Sequence, residues 1–288
     1  MSAGPQRESQ EALEPFMTIG DIEPDSPTDR MLKLRPIADH IAESMGWEPG
    51  RVQVRIARSV PEITAMMSDG LIDIYIDSIY PVLLVGLGSG SKVLLESPVD
   101  GSRSYNSVII ASINGDVREV SDLVGKIVGL QEFYSTSGYL LPAAELIGEG
   151  YQLEYTAGRT APASDRIGFF FSGDEENSLS MLQQGVIDAG AMSGLDWSRL
   201  PEEIRNEFIV IATTDSVPRK MLSVRKGFDA ELIEPLSQAL FNITDEQRSQ
   251  MFADTGWSWA FVPLDEQSRS GIERTRRMIS MTNEIIVQ

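Results

Sequence analysis

Lys126-Ile127-Val128-Gly129-Leu130-Gln131-Glu132-Phe133-Tyr134-Ser135-Thr136-Ser137-Gly138-Tyr139-Leu140-Leu141-Pro142-Ala143-Ala144-Glu145-Leu146-Ile147-Gly148 is the stretch on which the reading of this chain turns. The apolar run Ile127 to Leu130 predicts a buried strand, and Tyr139 to Ile147 predicts a helix that stops at Gly148. Ser135, Thr136 and Ser137 fall between them, where a helix leaves its first N–H groups unpaired and its dipole is positive. Pro142 fits only if it lies in the first turn, where no intrahelical N–H is required. Two readings are open on these residues alone. A serine at this place is an ordinary helix cap, or the terminus is a site for an oxyanion.

Composition narrows the classes of partner. The 288 residues carry 43 acidic against 24 basic side chains, a net charge of −19, which argues against nucleic acid or an anionic membrane surface. No run of about 18 apolar residues occurs, so no membrane span is expected. Cysteine is absent, which removes disulfides, thiol chemistry and zinc sites built on thiolates. The one histidine, His40, lies in Arg35 to Ala42 and reads as a surface helix residue; no nucleophile-elbow sequence accompanies it.

Residues 1–15 are polar and read as a flexible leader. A tether of this kind also precedes the fold of mature surface lipoproteins, so a lipid anchor is compatible with it. From Phe16 onward, strand and helix patterns alternate: strands at Phe16 to Gly20, Val52 to Ile56 and Leu71 to Ile76, helices at Asp29 to Met45 and Val60 to Ser68. Alternation favours an open, largely parallel sheet, with ligands beyond the carboxyl ends of strands. Asp77, Ser78 and Tyr80 fall at such an end. Gly86-Leu87-Gly88-Ser89-Gly90 resembles the start of a dinucleotide loop but precedes a strand, so it reads as a turn and no cofactor is expected.

Tyr105 leads a predicted strand to Ser112, Ile167 to Phe171 is another, and Ser172-Gly173-Asp174-Glu175-Glu176 precedes a helix over Asn177 to Gln184. Ile209 to Thr213 is a strand, Asp215 to Arg225 an extended return, and the tail is helical over Leu232 to Phe241, Glu246 to Phe252 and Gln267 to Met281. Trp257, Trp259 and Phe261, at period two, read as packing residues. An internal echo links Met66-x-x-x-Gly70-x-Ile72-Asp73 to Met181-x-x-x-Gly185-x-Ile187-Asp188. It predicts two lobes of similar plan.

With these pieces placed, the chain resembles the periplasmic substrate-binding proteins of phosphate, phosphite and phosphonate ABC transporters. The resemblance rests on Gly70 to Asp73, Tyr105, Asp122 to Lys126, Ser135-Thr136-Ser137-Gly138-Tyr139, Ser172-Gly173, Gly185 to Gly190 and Val217-Pro218. It implies an α/β fold of two lobes joined by two crossing strands, with the ligand in the cleft. The crossings are placed near Ala111 to Gly115 and Thr213 to Pro218, which puts lobe one at 16–112 plus 217–288 and lobe two at 113–216. The resemblance also implies that Ser135, Thr136, Ser137 and Tyr105 hold a phosphorus oxyanion, and that the protein is a monomer serving a membrane permease. Aminoalkylphosphonate binders of the family place an aromatic residue at Asp77 and a histidine at Asp174, and acidic residues near Leu195 and Lys220, so their pocket does not transfer.

Asp77 and Asp174 beside an oxyanion would repel it unless the ligand brings an acidic O–H or a cationic group. Their alternative reading is that they cap helices. Three rival functions follow: an enzyme on the same plan, which would lack a histidine base or metal cluster; a sensor; and a binder of cations or zwitterions through the cleft carboxylates.

Overall fold

The computed structural model describes residues 16–156, 160–253 and 259–286. The expected leader and Trp257 lie outside them. In chain order the first half runs β1 (Met17–Ile22), α1 (Pro27–Ser44), β2 (Val52–Ala57), α2 (Val60–Ser68), β3 (Ile74–Ser78), α3 (Ile79–Ser89), β4 (Lys92–Ser97), β5 (Ser104–Tyr105), β6 (Ser107–Ser112) and β7 (Ile127–Leu130). A π-helical turn, Thr136–Leu140, leads into α4 (Leu141–Gly148), followed by β8 (Leu153–Tyr155), β9 (Ile167–Phe171), α5 (Glu175–Gln183) and β10 (Ala189–Ser193). The chain continues with α6 (Gly194–Arg199), α7 (Glu202–Arg205), β11 (Phe208–Thr213), β12 (Val217–Pro218), β13 (Lys220–Val224), α8 (Ala230–Phe241), α9 (Asp245–Met251), β14 (Val262–Pro263) and α10 (Glu266–Ile286).

Two six-stranded sheets form. Their orders are β14-β4-β13-β3-β1-β2 and β11-β6-β10-β7-β9-β8, so five consecutive strands correspond between them. The sequence echo is the seam of this correspondence. Gly70 and Gly185 both end a helix at positive φ, 74° and 66°, a conformation that favours glycine. Ile72 then lies against Gly20 of β1 and Ile187 against Gly129 of β7, where any added Cβ would come within 2.7 Å of the isoleucine in each case. Asp73 accepts the Thr18 N–H at 2.9 Å and Asp188 accepts the Ile127 N–H at 2.9 Å, so each carboxylate pins the start of its sheet's central parallel strand. One local sequence solution is used twice.

Three expectations are corrected. Gly86 to Ser89 are no turn but the last turn of α3, whose residues Ile79 to Leu83 and Val85 are buried; only Gly90, at φ 75°, ends it. His40 is 8% exposed, with Nε2 2.9 Å from the Ala239 carbonyl oxygen of α8, so it is a packed residue rather than a surface one. The predicted strand from Tyr105 to Ser112 breaks at Asn106: Tyr105 in β5 pairs with Val217 of β12, whereas β6 pairs with β10 and β11 inside the second sheet. The first crossing therefore lies at Ser104 to Asn106, not at Ala111 to Gly115, and residues 107–112 go with the second sheet rather than the first. Hydrophobic patterning could not reveal this, because both stretches are extended and a two-residue strand carries no period of its own.

The π-helical turn and α4 follow the opening stretch closely. Pro142 lies at the start of α4, where no N–H is missed. Helix α10 packs on α4 of one lobe, α3 of the other and β12 between them. At its start, Glu96, 2% exposed, receives Arg103 Nη2 at 2.6 Å and the Ser268 hydroxyl at 2.5 Å, which ties α10 to the residue before β5.

Candidate functional site

The loop that follows β7 meets the start of α3, which follows β3, so the contact between the lobes lies at carboxyl ends of parallel strands, as expected for an open α/β sheet. Extending the sequence echo five residues places Ser78 and Ser193 in equivalent positions, each the residue before a helix. They differ in what they cap. The Ser193 hydroxyl accepts the Leu195 and Asp196 N–H groups, both at 3.2 Å, and satisfies its own helix. Ser78 makes no such bond; its hydroxyl turns to Asp77 at 3.3 Å and leaves the α3 terminus without its own cap.

The other lobe supplies the partner. Thr136 Oγ1 accepts the Tyr80 N–H of α3 at 3.3 Å, and its side chain lies close enough to the Tyr105 hydroxyl to hold that group's proton affinity down against the effect of burial. One buried side chain thus joins the Ser-Thr-Ser loop, the α3 terminus and the β5/β12 ribbon. The loop is held from behind. Ser135 Oγ accepts the Gly138 N–H at 2.9 Å, the Gln131 N–H donates to the Gly138 carbonyl at 2.9 Å, and the Ser107 hydroxyl donates to the Ser137 carbonyl at 2.6 Å. Gly138 is required by close approach, since a Cβ there would lie 2.3 Å from Gln131 Oε1.

On the first-lobe side, Asp77 accepts the Ser78 N–H at 2.6 Å and the Tyr75 hydroxyl at 2.7 Å, with Lys220 Nζ 3.9 Å away. Asp21 lies behind it at the end of β1, 4% exposed and paired with Arg30 at 3.0 Å. Burial, and then the Asp77 charge, push the Asp21 carboxyl up to about 6. Burial likewise pushes the Tyr105 hydroxyl up to about 12 and the Tyr75 hydroxyl upward, so both phenols stay protonated and able to donate.

The structure therefore brings Ser78, Thr136, Tyr105 and Asp77 together, with Ser135 and Ser137 flanking Thr136. Tyr80 contributes its backbone N–H; its ring is fully buried against Phe133 and Tyr139, at centroid distances of 6.4 and 6.3 Å. Asp174 stands apart. It is exposed and caps α5, accepting the Asn177 N–H at 2.7 Å, and lines a groove with Ser135, Glu132, Glu175 and Glu176. Sequence reading missed Asp21, Ser193, Gln131 and Lys220. The strand-end rule that singled out Asp77 also applies to Asp21, and the echo carried onward finds Ser193; Lys220 stands out in the sequence only as a place where an acidic residue of the relatives is missing, and the antiparallel return of β13 sets it opposite Ser78. Among the described residues no group of three or more His, Cys, Asp or Glu side chains is arranged to hold a metal ion. No helix among them is long and apolar enough to cross a membrane.

Two similar lobes with strand ends facing one another define a two-lobe α/β binding protein of the periplasmic type. The chain belongs to the phosphonate-binding family of ABC transporter periplasmic substrate-binding proteins, whose family model matches residues 22–268. The family is one of transport proteins, not enzymes. Over 190 residues the chain is 24% identical to the phosphate-import protein PhnD of Mycolicibacterium smegmatis, a match covering 65% of this chain and 57% of that protein's length. The fold is similar to that of XAC2383 from Xanthomonas citri bound to chloride ion, with a TM-score of 0.84, 24% identity and coverage of 93% of this chain and 98% of that one. The same protein bound to ATP matches with a TM-score of 0.84 at 23% identity, covering 94% and 98%. PhnD1 from Prochlorococcus marinus in complex with methylphosphonate gives 0.63 at 15% identity, covering 92% and 98%.

Proposed function

We propose that the protein is the solute-binding component of an ABC importer, and that it captures a small phosphorus oxyanion between its lobes for delivery to a membrane permease. One observation carries this reading: the α3 terminus, which its own Ser78 leaves uncapped, meets Thr136 of the Ser-Thr-Ser loop across the lobes, with the Tyr105 hydroxyl beside them. Helix N–H groups and hydroxyls aimed at one point are the donors an oxyanion needs, and enclosure strengthens each bond. Membership of the family supports an importer and a location in the periplasm. The phosphate-import and methylphosphonate-bound relatives support phosphorus as the central atom.

The two short antiparallel strands β5 and β12 serve as the hinge, and the lobes close on the ligand about them. The ligand-binding residues in this reading are Ser135, Thr136, Ser137, Tyr105 and Ser78, with Asp77 and Tyr80 bordering them. The protein works as a monomer.

Calorimetry with phosphate, phosphite, methylphosphonate and ATP tests the reading. Ser137→Ala should weaken the bound oxyanion by about 1.5–3 kcal/mol, the worth of a charge-assisted hydrogen bond. Unchanged affinity in that variant would remove the loop from the site. A second reading, a zwitterionic or cationic ligand, is favoured by the acidic groove of Glu132, Asp174, Glu175 and Glu176 beside Ser135. Heat released with amino-bearing ligands alone would favour it.

A further inference from the structure

We propose that Asp77 sets the specificity of the cleft by accepting a hydrogen bond from a protonated ligand oxygen, so that the site takes a singly ionised phosphorus oxyanion and rejects sulfonates. The inference rests on the oxyanion reading above.

A carboxylate offers only acceptors, about four lone-pair directions over its two oxygens. Asp77 Oδ1 already accepts the Ser78 N–H at 2.6 Å and the Ser78 hydroxyl at 3.3 Å. Asp77 Oδ2 accepts the Tyr75 hydroxyl alone, at 2.7 Å. One direction on Oδ2 is thus open to a further donor, and the side chain is 24% exposed at the carboxyl end of β3. The groups on its open side are donors: the Ser78 and Tyr105 hydroxyls, the hydroxyls of the Ser-Thr-Ser loop and, 3.9 Å away, the Lys220 ammonium. A site of several donors and one obligate acceptor matches a tetrahedral anion that bears one P–O–H. A sulfonate has no proton to give, so its oxygen would meet a lone pair.

The charges around Asp77 point the same way. Facing it are Tyr75 on its own strand, Asp21 on β1, Arg30 on α1 through Asp21, Lys220 on β13 and Tyr105 on β5. Lys220 is 3.9 Å from Asp77 and lies 5.1 Å from the Trp259 ring centroid, so its charge is shared rather than committed to the ligand. Arg30 is taken up by Asp21. A buried carboxyl of raised proton affinity beneath a carboxylate disfavours a second negative charge on the ligand.

Methylphosphonate and methanesulfonate differ in little but the ionisable proton, and calorimetry of the full chain from pH 5.5 to 8.5 separates them. The wild type is expected to bind methylphosphonate at least about tenfold more tightly than methanesulfonate, because a polar group left unpaired discriminates strongly. Its apparent Kd should rise about tenfold per pH unit above the second ionisation of the phosphonate, as the competent monoanion becomes scarce. Asp77→Asn, which can donate as well as accept, should flatten that slope and bring the two ligands within about tenfold of each other. If the variant fails to fold, the wild-type slope and ligand ratio still decide. A wild type that binds both ligands equally, or a slope that Asp77→Asn leaves unchanged, overturns the role of Asp77 and leaves the oxyanion site standing. Binding confined to 2-aminoethylphosphonate and flat with pH overturns it in favour of an ammonium donor. No binding of either methyl ligand or of phosphate at any pH removes the oxyanion reading, and this inference with it.

Discussion

Asp21 shows how one buried carboxyl links the cleft to stability. Its folded value is raised to about 6, against about 3.9 for an unperturbed aspartate. The folded state binds this proton more tightly than the unfolded chain does. The contribution is therefore fully present below about pH 4 and is lost as pH rises through about 6. Melting temperatures followed from pH 4 to 7 should fall over that window, and Asp21→Asn should flatten the fall while losing the Arg30 pair at every pH. The same slope in both proteins would show that Asp21 is not the titrating group. Gly138 works through space rather than charge. Gly138→Ala must displace Gln131, the residue whose N–H holds the loop, and should cost about 1–3 kcal/mol in urea unfolding together with a loss of ligand affinity.

At the scale of elements, the two equivalent helices α3 and α6 divide structure from function. Ser193 satisfies the terminus of α6, so Ser193→Ala should cost about 1 kcal/mol of stability, the ordinary worth of a cap. Ser78 leaves α3 open, so Ser78→Ala should change the melting temperature little and show itself in calorimetric affinity. Equal thermal losses in the two variants would contradict the assignment. Helix α10 carries a different constraint. Gly271 lies against Pro218 of the β5/β12 ribbon, where a Cβ would come within 2.4 Å of the proline ring. Gly271→Ala should push the helix off the ribbon and lower the urea midpoint by an overpacking cost of about 1–3 kcal/mol.

The whole molecule is held together across its cleft as well as within each sheet. One apolar cluster runs from Ile72, Ile79 and Tyr80 of the first lobe to Leu130, Tyr139 and Ile109 of the second. Tyr80 against Phe133 and Tyr139 is the aromatic part of that contact, and the Tyr80 and Tyr139 hydroxyls are buried with no hydrogen-bond partner among the described residues. Apolar contact between the lobes is thus set against two unsatisfied polar groups, and the opening and closing proposed above is expected to turn on that balance. Tyr80→Ala should raise the radius of gyration of the ligand-free protein in solution scattering, and saturating ligand should restore compactness. A scattering profile that neither change moves would argue for a rigid cleft.

The sequence by itself determined the alternation of strand and helix, the doubled Met-x-x-x-Gly-x-Ile-Asp unit and the Ser-Thr-Ser-Gly loop between strand and helix. Each of these is a local matter: glycine at positive φ, an aspartate pinning a strand start, a proline confined to a first turn. The same locality explains the errors. Gly86 to Ser89 read as a turn because glycine is a weak helix former in isolation, and the helix that the buried face Ile79 to Val85 anchors runs on through them to Gly90. His40 read as exposed because only α8, some two hundred residues on, covers it. Only the tertiary structure decided which serine caps its helix and which does not, that Asp174 caps α5 while Asp77 takes the Tyr75 hydroxyl and the Ser78 N–H, and that the chain passes from one sheet to the other at Tyr105. Those outcomes depend on groups brought together from β1, β3, β13 and the loop after β7, and no spacing along the chain encodes the distances between them.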